Sequence, residues 1–158
     1  MPPPNFLRML QLAEEFFEVK NDPEQLSIDE NVLKLLHDIH PATTGEKSTE
    51  EGPVAWTIVI PTTYEVMNKF LRGELNEREL FEHTLNDAAF EAVYLCSALV
   101  LPEYRGKGFA KELACNSIKA IRNDHPIKQL YYWEFSGEGT KLAEAVAKEV
   151  GLPLLKRV

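Results

Sequence analysis

The chain is 158 residues long, with 44% hydrophobic and 27% charged residues and a formal net charge of −8 at pH 7. A chain of this length and composition is expected to form one domain, residues 1–158, that is large enough to bury a proper core. The negative charge argues against a nucleic-acid partner and is compatible with a cationic amine substrate. No apolar run reaches the roughly 20 residues of a membrane-spanning helix, which argues against a membrane partner.

The N-terminus and the cysteines indicate the cellular compartment. Residues 1–5 lack the basic region and the apolar stretch of a secretory signal. Cys96 and Cys115 show no close pairing pattern, which is typical of reduced thiols. We therefore expect a cytoplasmic protein, and the sequence leaves its oligomeric state open, a homodimer included.

The first part of the chain is predicted to be rich in helices. Hydrophobic residues at helical spacing predict a helix over residues 5–20, and the capping box formed by Ser27 and Glu30 predicts that a second helix begins there. Residues 40–53 are polar and rich in Thr, Glu, Gly and Pro. They predict a solvated loop, with a flap over a substrate site as the alternative.

The rest of the chain mixes strands and helices. Residues 54–60 are rich in β-branched side chains and predict a strand that ends before Pro61. Two further capping patterns, at residues 62–65 and 76–79, predict helices after this strand. The elements predicted next, in chain order, are a strand over 92–101, a helix ending near Arg122, a strand over 128–135, a helix over 140–150 and a short strand over 152–156. This order predicts an α/β fold with one layered domain around a sheet.

The turn after the predicted strand 92–101 carries the main functional signal. Residues 105–108 of this turn are Arg-Gly-Lys-Gly, and two glycines let a backbone approach a ligand with no Cβ atom in the way. The helix that follows directs its free N–H groups and the positive end of its dipole at the same spot, and Lys107 and Lys111 add positive charge. The pattern predicts a phosphate-binding turn, although neither the P-loop nor the dinucleotide glycine spacing fits. A simple connection between strand and helix is the alternative.

The residues Arg-Gly-Lys-Gly-Phe-Ala at 105–110 resemble the acyl-CoA-binding motif of the GNAT acetyltransferase superfamily. The resemblance covers about residues 91–152 and implies a GNAT-like α/β domain with a mixed central sheet flanked by helices, although the helix-rich first half is atypical. It also implies acetyl-CoA or another acyl-CoA as cofactor, and an amine of a small molecule or protein as acyl acceptor. The cofactor-binding residues that it implies are Leu99, Val100, Leu101, Arg105, Gly106, Lys107, Gly108, Phe109, Ala110 and Lys111.

The chain departs from the superfamily in two places. Ala147 stands where members often carry the tyrosine that protonates the leaving thiolate, and Thr140 stands where they often carry an asparagine. The usual general acid is therefore unassigned, and a non-catalytic acyl-CoA-binding or partner-binding protein is the alternative function. Members also place a strand hairpin before the motif strand, whereas residues 62–87 are predicted to be helical here, so we expect a smaller sheet.

Acyl transfer also needs a donor to the thioester carbonyl and a base near the amine. The resemblance implies a backbone donor at a break in strand pairing near residues 98–100. The candidate bases are Glu134, Glu91 and Tyr94. Histone-modifying relatives carry a general-base Glu about where Tyr94 stands, but a phenol with a pKa of about 10 is a poor base, and a core position is the alternative for Tyr94. Glu134, late in a predicted strand, is preferred, and the alternative for both carboxylates is an ordinary solvated position.

Other residues have plainer explanations. Cys96 lies in an apolar strand without a basic neighbour, so it is expected to be a core cysteine rather than a nucleophile. His37 and His40 have helical spacing but lack a third ligand, so no metal site is expected. Aromatic residues 131–133 are either core or pocket wall. Alternation along the motif strand predicts that residues 93, 95, 97, 99 and 101 share one face.

Overall fold

The computed structural model describes residues 4–20, 30–134 and 137–157, and this part of the chain forms six helices and five strands. The helices are α1 (Pro4–Lys20), α2 (Glu30–Ile39), α3 (Tyr64–Leu71), α4 (Glu77–Thr84), α5 (Phe109–Asp124) and α6 (Gly137–Val150). The strands are β1 (Thr44–Thr49), β2 (Gly52–Thr62), β3 (Ala92–Val100), β4 (Gln129–Trp133) and β5 (Leu154–Arg157). Short 3₁₀ turns, Pro41–Thr43 and Pro102–Tyr104, precede β1 and follow β3.

The strands lie in the sheet in the same order as in the chain, from β1 to β5. β2 is antiparallel to both β1 and β3, whereas β3, β4 and β5 run parallel to one another. The predicted α/β fold, with a mixed central sheet flanked by helices and a helix-rich first half, is confirmed.

Apolar side chains hold helices against both faces of this sheet. On one face, α2, α3 and α4 pack through a cluster that includes Leu36, Phe70, Leu80, Tyr94 and Tyr131. On the other face, α5 and α6 pack through Val93, Ile118, Ile121, Leu130 and Val146. A third cluster fixes α1 against β2 and the end of β3 through Met9, Val54 and Leu101. Each large apolar side chain buried in this way contributes about 1.5–3 kcal/mol.

The loop predicted over residues 40–53 is wrong for most of its length, because Thr44–Thr49 form β1 and β2 begins at Gly52. This strand is at the edge of the sheet, and its side chains are exposed or half-buried. A polar edge strand shows no apolar alternation, and its pairing, from Thr44–Ile58 to Thr49–Gly52, depends on β2 rather than on its own composition.

The helices predicted between β2 and β3 are present. α3 begins one residue later than predicted, because its N-cap is Thr63, whose hydroxyl accepts a hydrogen bond from the Val66 N–H. α4 has the predicted capping box, in which Asn76 and Glu79 each accept the backbone N–H of the other. Both helices therefore begin at side chains that satisfy otherwise free backbone donors.

Other element boundaries differ by a few residues. β2 continues through Pro61 to Thr62. Proline has no N–H to donate, but the pairing of β2 with β1 has already ended at Ile58, so no hydrogen bond to β1 is lost. α6 begins at Gly137, three residues before the predicted start. The predicted start of the second helix at Ser27 and the predicted strand end at Phe135 lie outside the described residues.

Candidate functional site

A cleft opens in the sheet where β3 and β4 separate. Their parallel pairing ends at Leu95 and Tyr132, although β3 continues to Val100. The cleft has a volume of about 490 Å³, and its lining includes Glu15, Cys96, Arg105, Ala110, Tyr132 and Trp133. It therefore lies beyond the carboxyl ends of parallel strands, which is where open α/β sheets bind their ligands.

A β-bulge lies in β3 at the point where the cleft begins. The register with β2 moves from Val59–Leu95 to Ile58–Ser97, so Cys96 is the extra residue. The break in pairing thus comes two residues earlier than the predicted position near residues 98–100. From Ser97 onward, the edge of β3 that does not pair with β2 faces the cleft.

The bulge also corrects the predicted faces of β3. Val93 and Leu95 pack towards α5 and α6 as one face, but Ser97 and Leu99 lie opposite Ile58 and Trp56, on the other face. One inserted residue reverses the alternation of every later side chain. The prediction that residues 93, 95, 97, 99 and 101 share a face is therefore wrong beyond Leu95.

The predicted phosphate-binding turn lies at one end of the cleft, between β3 and α5. Gly106 and Gly108 both have a φ of +80°, a conformation that favours glycine. A Cβ atom at either position would meet no described atom within 4 Å, so the space around the turn is open. Gly108 is the N-cap of α5, and no side chain of the described residues caps this helix. The N–H groups of residues 109–111 therefore lack intrahelical acceptors and are available to an anion.

Three cationic side chains surround this turn. The Arg105 Nε atom donates to the Val100 carbonyl oxygen at 3.2 Å, and the side chain of Arg105 lines the cleft. The Lys107 ammonium lies 5.9 Å from the centre of the Tyr104 ring, and that of Lys111 lies 3.9 Å from the Glu149 carboxylate. Arg105 and Lys107 therefore place positive charge at this end of the cleft, whereas the charge of Lys111 is paired with Glu149.

Four of the ten predicted cofactor-binding residues line the cleft, and the turn between Arg105 and Ala110 adjoins it. Residues 106–108 are exposed at its rim. The side chain of Leu101 is only 1% exposed, because it packs against Met9 and Val54, and it cannot reach a ligand. Phe109 is half-buried beside Tyr104. The predicted residues whose side chains or backbone line the cleft are Leu99, Val100, Arg105 and Ala110.

Tyr94 lies in the core rather than in the cleft wall. Its side chain is 1% exposed, and its ring packs against Phe70 and Tyr131. Its hydroxyl donates to the Glu77 carboxylate at 2.6 Å. Burial, and then the charge of Glu77, raise the pKa of Tyr94 well above 10. The phenol therefore stays protonated at neutral pH.

Glu91 lies at the opposite end of β3 from the cleft. Its N–H donates to the Thr62 carbonyl oxygen at 3.0 Å, and its carbonyl oxygen accepts from the Lys128 N–H at 2.8 Å. Seven residues of extended strand, roughly 23 Å, separate it from Ala98 in the cleft wall. The structure does not bring Glu91 and the cleft together.

Glu134 directly follows β4, at the same end of the sheet as the cleft. Its exposed carboxylate accepts a hydrogen bond from the Thr140 hydroxyl at 2.7 Å and lies 3.4 Å from the Lys156 ammonium. The Thr140 hydrogen bond, followed by the Lys156 contacts, lowers the pKa of Glu134. The carboxylate is therefore ionised at neutral pH. The Thr140 oxygen also accepts a hydrogen bond, at 3.4 Å, from the hydroxyl of Tyr132.

Two carboxylates of the cleft wall, Glu15 and Glu138, are absent from the predicted site residues. Glu138 is in the first turn of α6, where acidic residues are favoured, and this signal could have identified it. Glu15 reaches the cleft because α1 docks on the sheet, where Arg8 makes two hydrogen bonds to Glu103 at 2.7 and 2.6 Å. The Arg8 hydrogen bond lowers the pKa of Glu103 to about 2. No sequence pattern indicates that docking.

The structure also tests the expectations for Cys96 and for the aromatic residues 131–133. Cys96 packs against the core cluster of α2, α3 and α4, as expected. It is only half-buried, however, and it also lines the cleft, because the bulge places it where the strands separate. Among the aromatic residues 131–133, Tyr131 is fully buried, whereas Tyr132 and Trp133 line the cleft.

The histidines singled out from the sequence do not share a site. His37 is exposed, whereas the ring of buried His40 bonds to Asp124 at 2.7 Å and accepts the Ala42 N–H at 3.0 Å. Across the described ranges, no group of three or more His, Cys, Asp or Glu side chains is arranged to hold a metal ion. Within the same ranges, none of the helices has the length and apolar character needed to cross a membrane.

Comparisons with known proteins give one structural similarity. No protein-family model and no curated protein matches the chain. The chain is similar to the crystal structure of the apo aminoglycoside antibiotic 6'-N-acetyltransferase from Acinetobacter haemolyticus, with a TM-score of 0.40 and 13% sequence identity. The match covers 88% of this chain and 83% of that chain.

Proposed function

We propose that the chain is an N-acyltransferase that uses acetyl-CoA, or another acyl-CoA, and acylates an amine of a small molecule or protein. The observation that supports this proposal is the cleft between β3 and β4, with the glycine turn and the uncapped start of α5 at one end. The open space around Gly106 and Gly108 fits a phosphate group that approaches the backbone closely.

Each part of the cleft has a role in this proposal. The cofactor supplies an activated thioester, whose carbonyl carbon an amine attacks with release of the thiol. The N–H groups of residues 109–111, with Arg105 and Lys107, bind its phosphates. The edge of β3 over residues 97–100 binds the extended, amide-containing arm of the acyl-CoA, as a sheet edge binds an added strand. A backbone N–H of this edge stabilises the thioester oxygen.

The charge of the cleft wall favours a cationic acceptor. Glu15 and Glu138 line the cleft, and Glu134 lies beside its wall residue Trp133, so carboxylates are present in addition to the positive turn. A positively charged amine is attracted to such a surface. Glu134, or a water molecule that it holds, takes the proton of the amine in this mechanism.

A non-catalytic acyl-CoA-binding protein is the second candidate. It is favoured by Ala147, which is buried in the cluster of α5 and α6 at the position where the resemblance implies a tyrosine acid. The cleft and the turn fit both functions, because both require the cofactor. We also propose a cytoplasmic location, which is supported by the free thiols of Cys96 and Cys115.

Two measurements test the proposal. Isothermal titration calorimetry with CoA and acetyl-CoA should show binding by the wild-type chain. A free-thiol assay with acetyl-CoA and a panel of cationic and neutral amines should then show thiol release that depends on one class of amine. Binding without release across the panel would favour the second candidate, and the absence of binding would contradict both.

A further inference from the structure

A chain of two hydroxyl groups connects the cleft with Glu134. The Tyr132 hydroxyl donates to the Thr140 oxygen at 3.4 Å, and the Thr140 hydroxyl donates to the Glu134 carboxylate at 2.7 Å. The first hydrogen bond is long, as catalytic hydrogen bonds often are without a bound substrate. On its other side, Glu134 contacts the Lys156 ammonium at 3.4 Å.

The two ends of this chain lie in different surroundings. Tyr132 is 6% exposed, lines the cleft and is the last residue of β4 that pairs with β3, so it stands where the strands begin to separate. Glu134 is exposed to solvent. Hydroxyl groups both donate and accept hydrogen bonds, so Thr140 can pass a proton between the two.

We propose, on the basis of the proposed function, that Tyr132 is the catalytic acid that protonates the leaving sulfur, and that Thr140 and Glu134 resupply its proton. Tyr132 thereby takes the role of the tyrosine acid that the resemblance implies at position 147, where this chain has an alanine. The other tyrosines of β3 and β4 are unsuited, because Tyr94 and Tyr131 are fully buried and bonded to Glu77 and Thr62.

The proton transfers balance without a further reactant. A cationic acceptor first loses one proton to solvent and so becomes a neutral amine, and Glu134 accepts the second proton, which the nitrogen loses as it bonds to the carbonyl carbon. When the carbon–sulfur bond breaks, Tyr132 gives its hydroxyl proton to the sulfur, which keeps the bonding electron pair. Thr140 then gives its proton to the Tyr132 oxygen and receives the proton held by Glu134. One proton has moved from the amine to the thiol, and each residue regains its starting state.

Cleft-lining Ser97 and Thr57 are weaker candidates for the acid. A phenol is a much stronger acid than an aliphatic hydroxyl, so its proton is more readily given to a thiolate. No other described residue of the cleft wall is a tyrosine. The position and the chemistry therefore both favour Tyr132.

The first test compares variants that each remove one hydroxyl or charge. With an amine that the wild-type chain acetylates, Tyr132→Phe should lower kcat about 10²-fold or more, the usual size of a general-acid contribution, while the KM for acetyl-CoA stays unchanged. Thr140→Val and Glu134→Gln should lower kcat in the same direction. Tyr131→Phe is the matched control, since it removes a neighbouring phenol that faces the core, and its kcat should stay at the wild-type value.

The second test does not require turnover. Calorimetry should show that Tyr132→Phe weakens the binding of CoA about threefold to tenfold, the effect of losing one hydrogen bond, and leaves the binding of desulfo-CoA unchanged. Tyr131→Phe should bind both as the wild-type chain does.

The outcomes separate this inference from the proposed function. Wild-type transfer with an unchanged kcat and unchanged CoA binding in Tyr132→Phe would overturn the role of Tyr132 and leave the acyltransferase standing. If Tyr132→Phe weakens the binding of CoA and of desulfo-CoA equally, Tyr132 only lines the cleft, and this result also overturns the proposal. A wild-type chain that binds neither compound would overturn both.

Discussion

Tyr94 and Tyr132 lie on neighbouring strands of the same sheet, and their hydroxyl groups have different partners. The Tyr94 hydroxyl donates to buried Glu77, on the face covered by α3 and α4. The Tyr132 hydroxyl donates to Thr140, at the start of the cleft. Burial raises the pKa of Tyr94 so far that the phenol stays protonated at neutral pH and cannot act as a base. We therefore assign Tyr94 to stability.

Tyr94→Phe tests this assignment. The substitution removes the donor to a buried carboxylate, so the free energy of unfolding should fall by about 1–3 kcal/mol. Acetyl transfer per folded molecule should stay at the wild-type level. Urea denaturation and the free-thiol assay measure the two quantities, and Tyr64→Phe, a half-buried tyrosine of α3, is the control for loss of a phenol. A large fall in kcat with unchanged stability would return Tyr94 to the list of catalytic candidates.

Gly108→Glu tests the anion site at the scale of one residue. A side chain at Gly108 enters the open space around the turn, and a carboxylate there repels phosphate, so acetyl-CoA binding should be lost in calorimetry. The left-handed backbone conformation should also cost about 1–2 kcal/mol of stability.

The control for that strain is Gly151→Glu. Gly151 also has a positive φ, with no described atom within 4 Å of a Cβ, and it lies after α6. This variant should lose similar stability and keep acetyl-CoA affinity. Wild-type affinity in Gly108→Glu would show that the turn does not bind the cofactor.

At the scale of elements, the contact between β1 and α5 depends on a glycine. Gly45 lies opposite Thr57 of β2, and a Cβ atom there would be 2.5 Å from the Thr57 hydroxyl oxygen and 3.2 Å from the Leu113 Cβ. That hydroxyl is buried and has no hydrogen-bond partner among the described residues. The helix and the strand are therefore in contact with no space for a methyl group.

Gly45→Ala should lower the free energy of unfolding by about 1–3 kcal/mol, because it overpacks this contact. Thr57→Ala in the same chain should restore part of the loss, since it removes the nearest atom. Chemical denaturation of both single variants and the double variant measures the coupling, and strictly additive effects would contradict it. Gly137→Ala is the control, because a Cβ atom at Gly137 meets no described atom within 4 Å.

The elements differ in how far their sequences determine them. The capping box of α4 and the apolar stripes of α5 are local patterns, so the sequence predicts both helices to within a few residues. β1 could not be predicted, because its side chains are polar and its backbone hydrogen bonds belong to β2. The bulge at Cys96 could not be predicted either. Both faces of β3 are apolar, so the sequence shows no break in the alternation of polar and apolar residues that would indicate an inserted residue.

At the scale of the whole molecule, the sequence predicts the phosphate turn better than it predicts the rest of the site. Arg105 and the glycines at 106 and 108 are close in sequence, so their spacing alone places them together. Glu15 reaches the cleft only after α1 has docked, and Thr140 meets Glu134 only after α6 has packed on the sheet. Contacts between distant segments of this kind depend on tertiary packing, which no local pattern contains.

The strand order has a consequence for how the chain folds. Each strand pairs with its neighbour in the sequence, and β1 and β2 meet at Thr49 and Gly52, three residues apart. The pairs of β3 and β4, such as Leu95–Tyr132, are 37 residues apart, whereas the nearest pair of β2 and β3, Thr62–Ala92, is 30 residues apart. Because the entropy lost on closing a loop grows with its length, we infer that the hairpin forms early and the pairing of β3 with β4 late. The segment of the sheet from which the cleft opens is then one of the last to close.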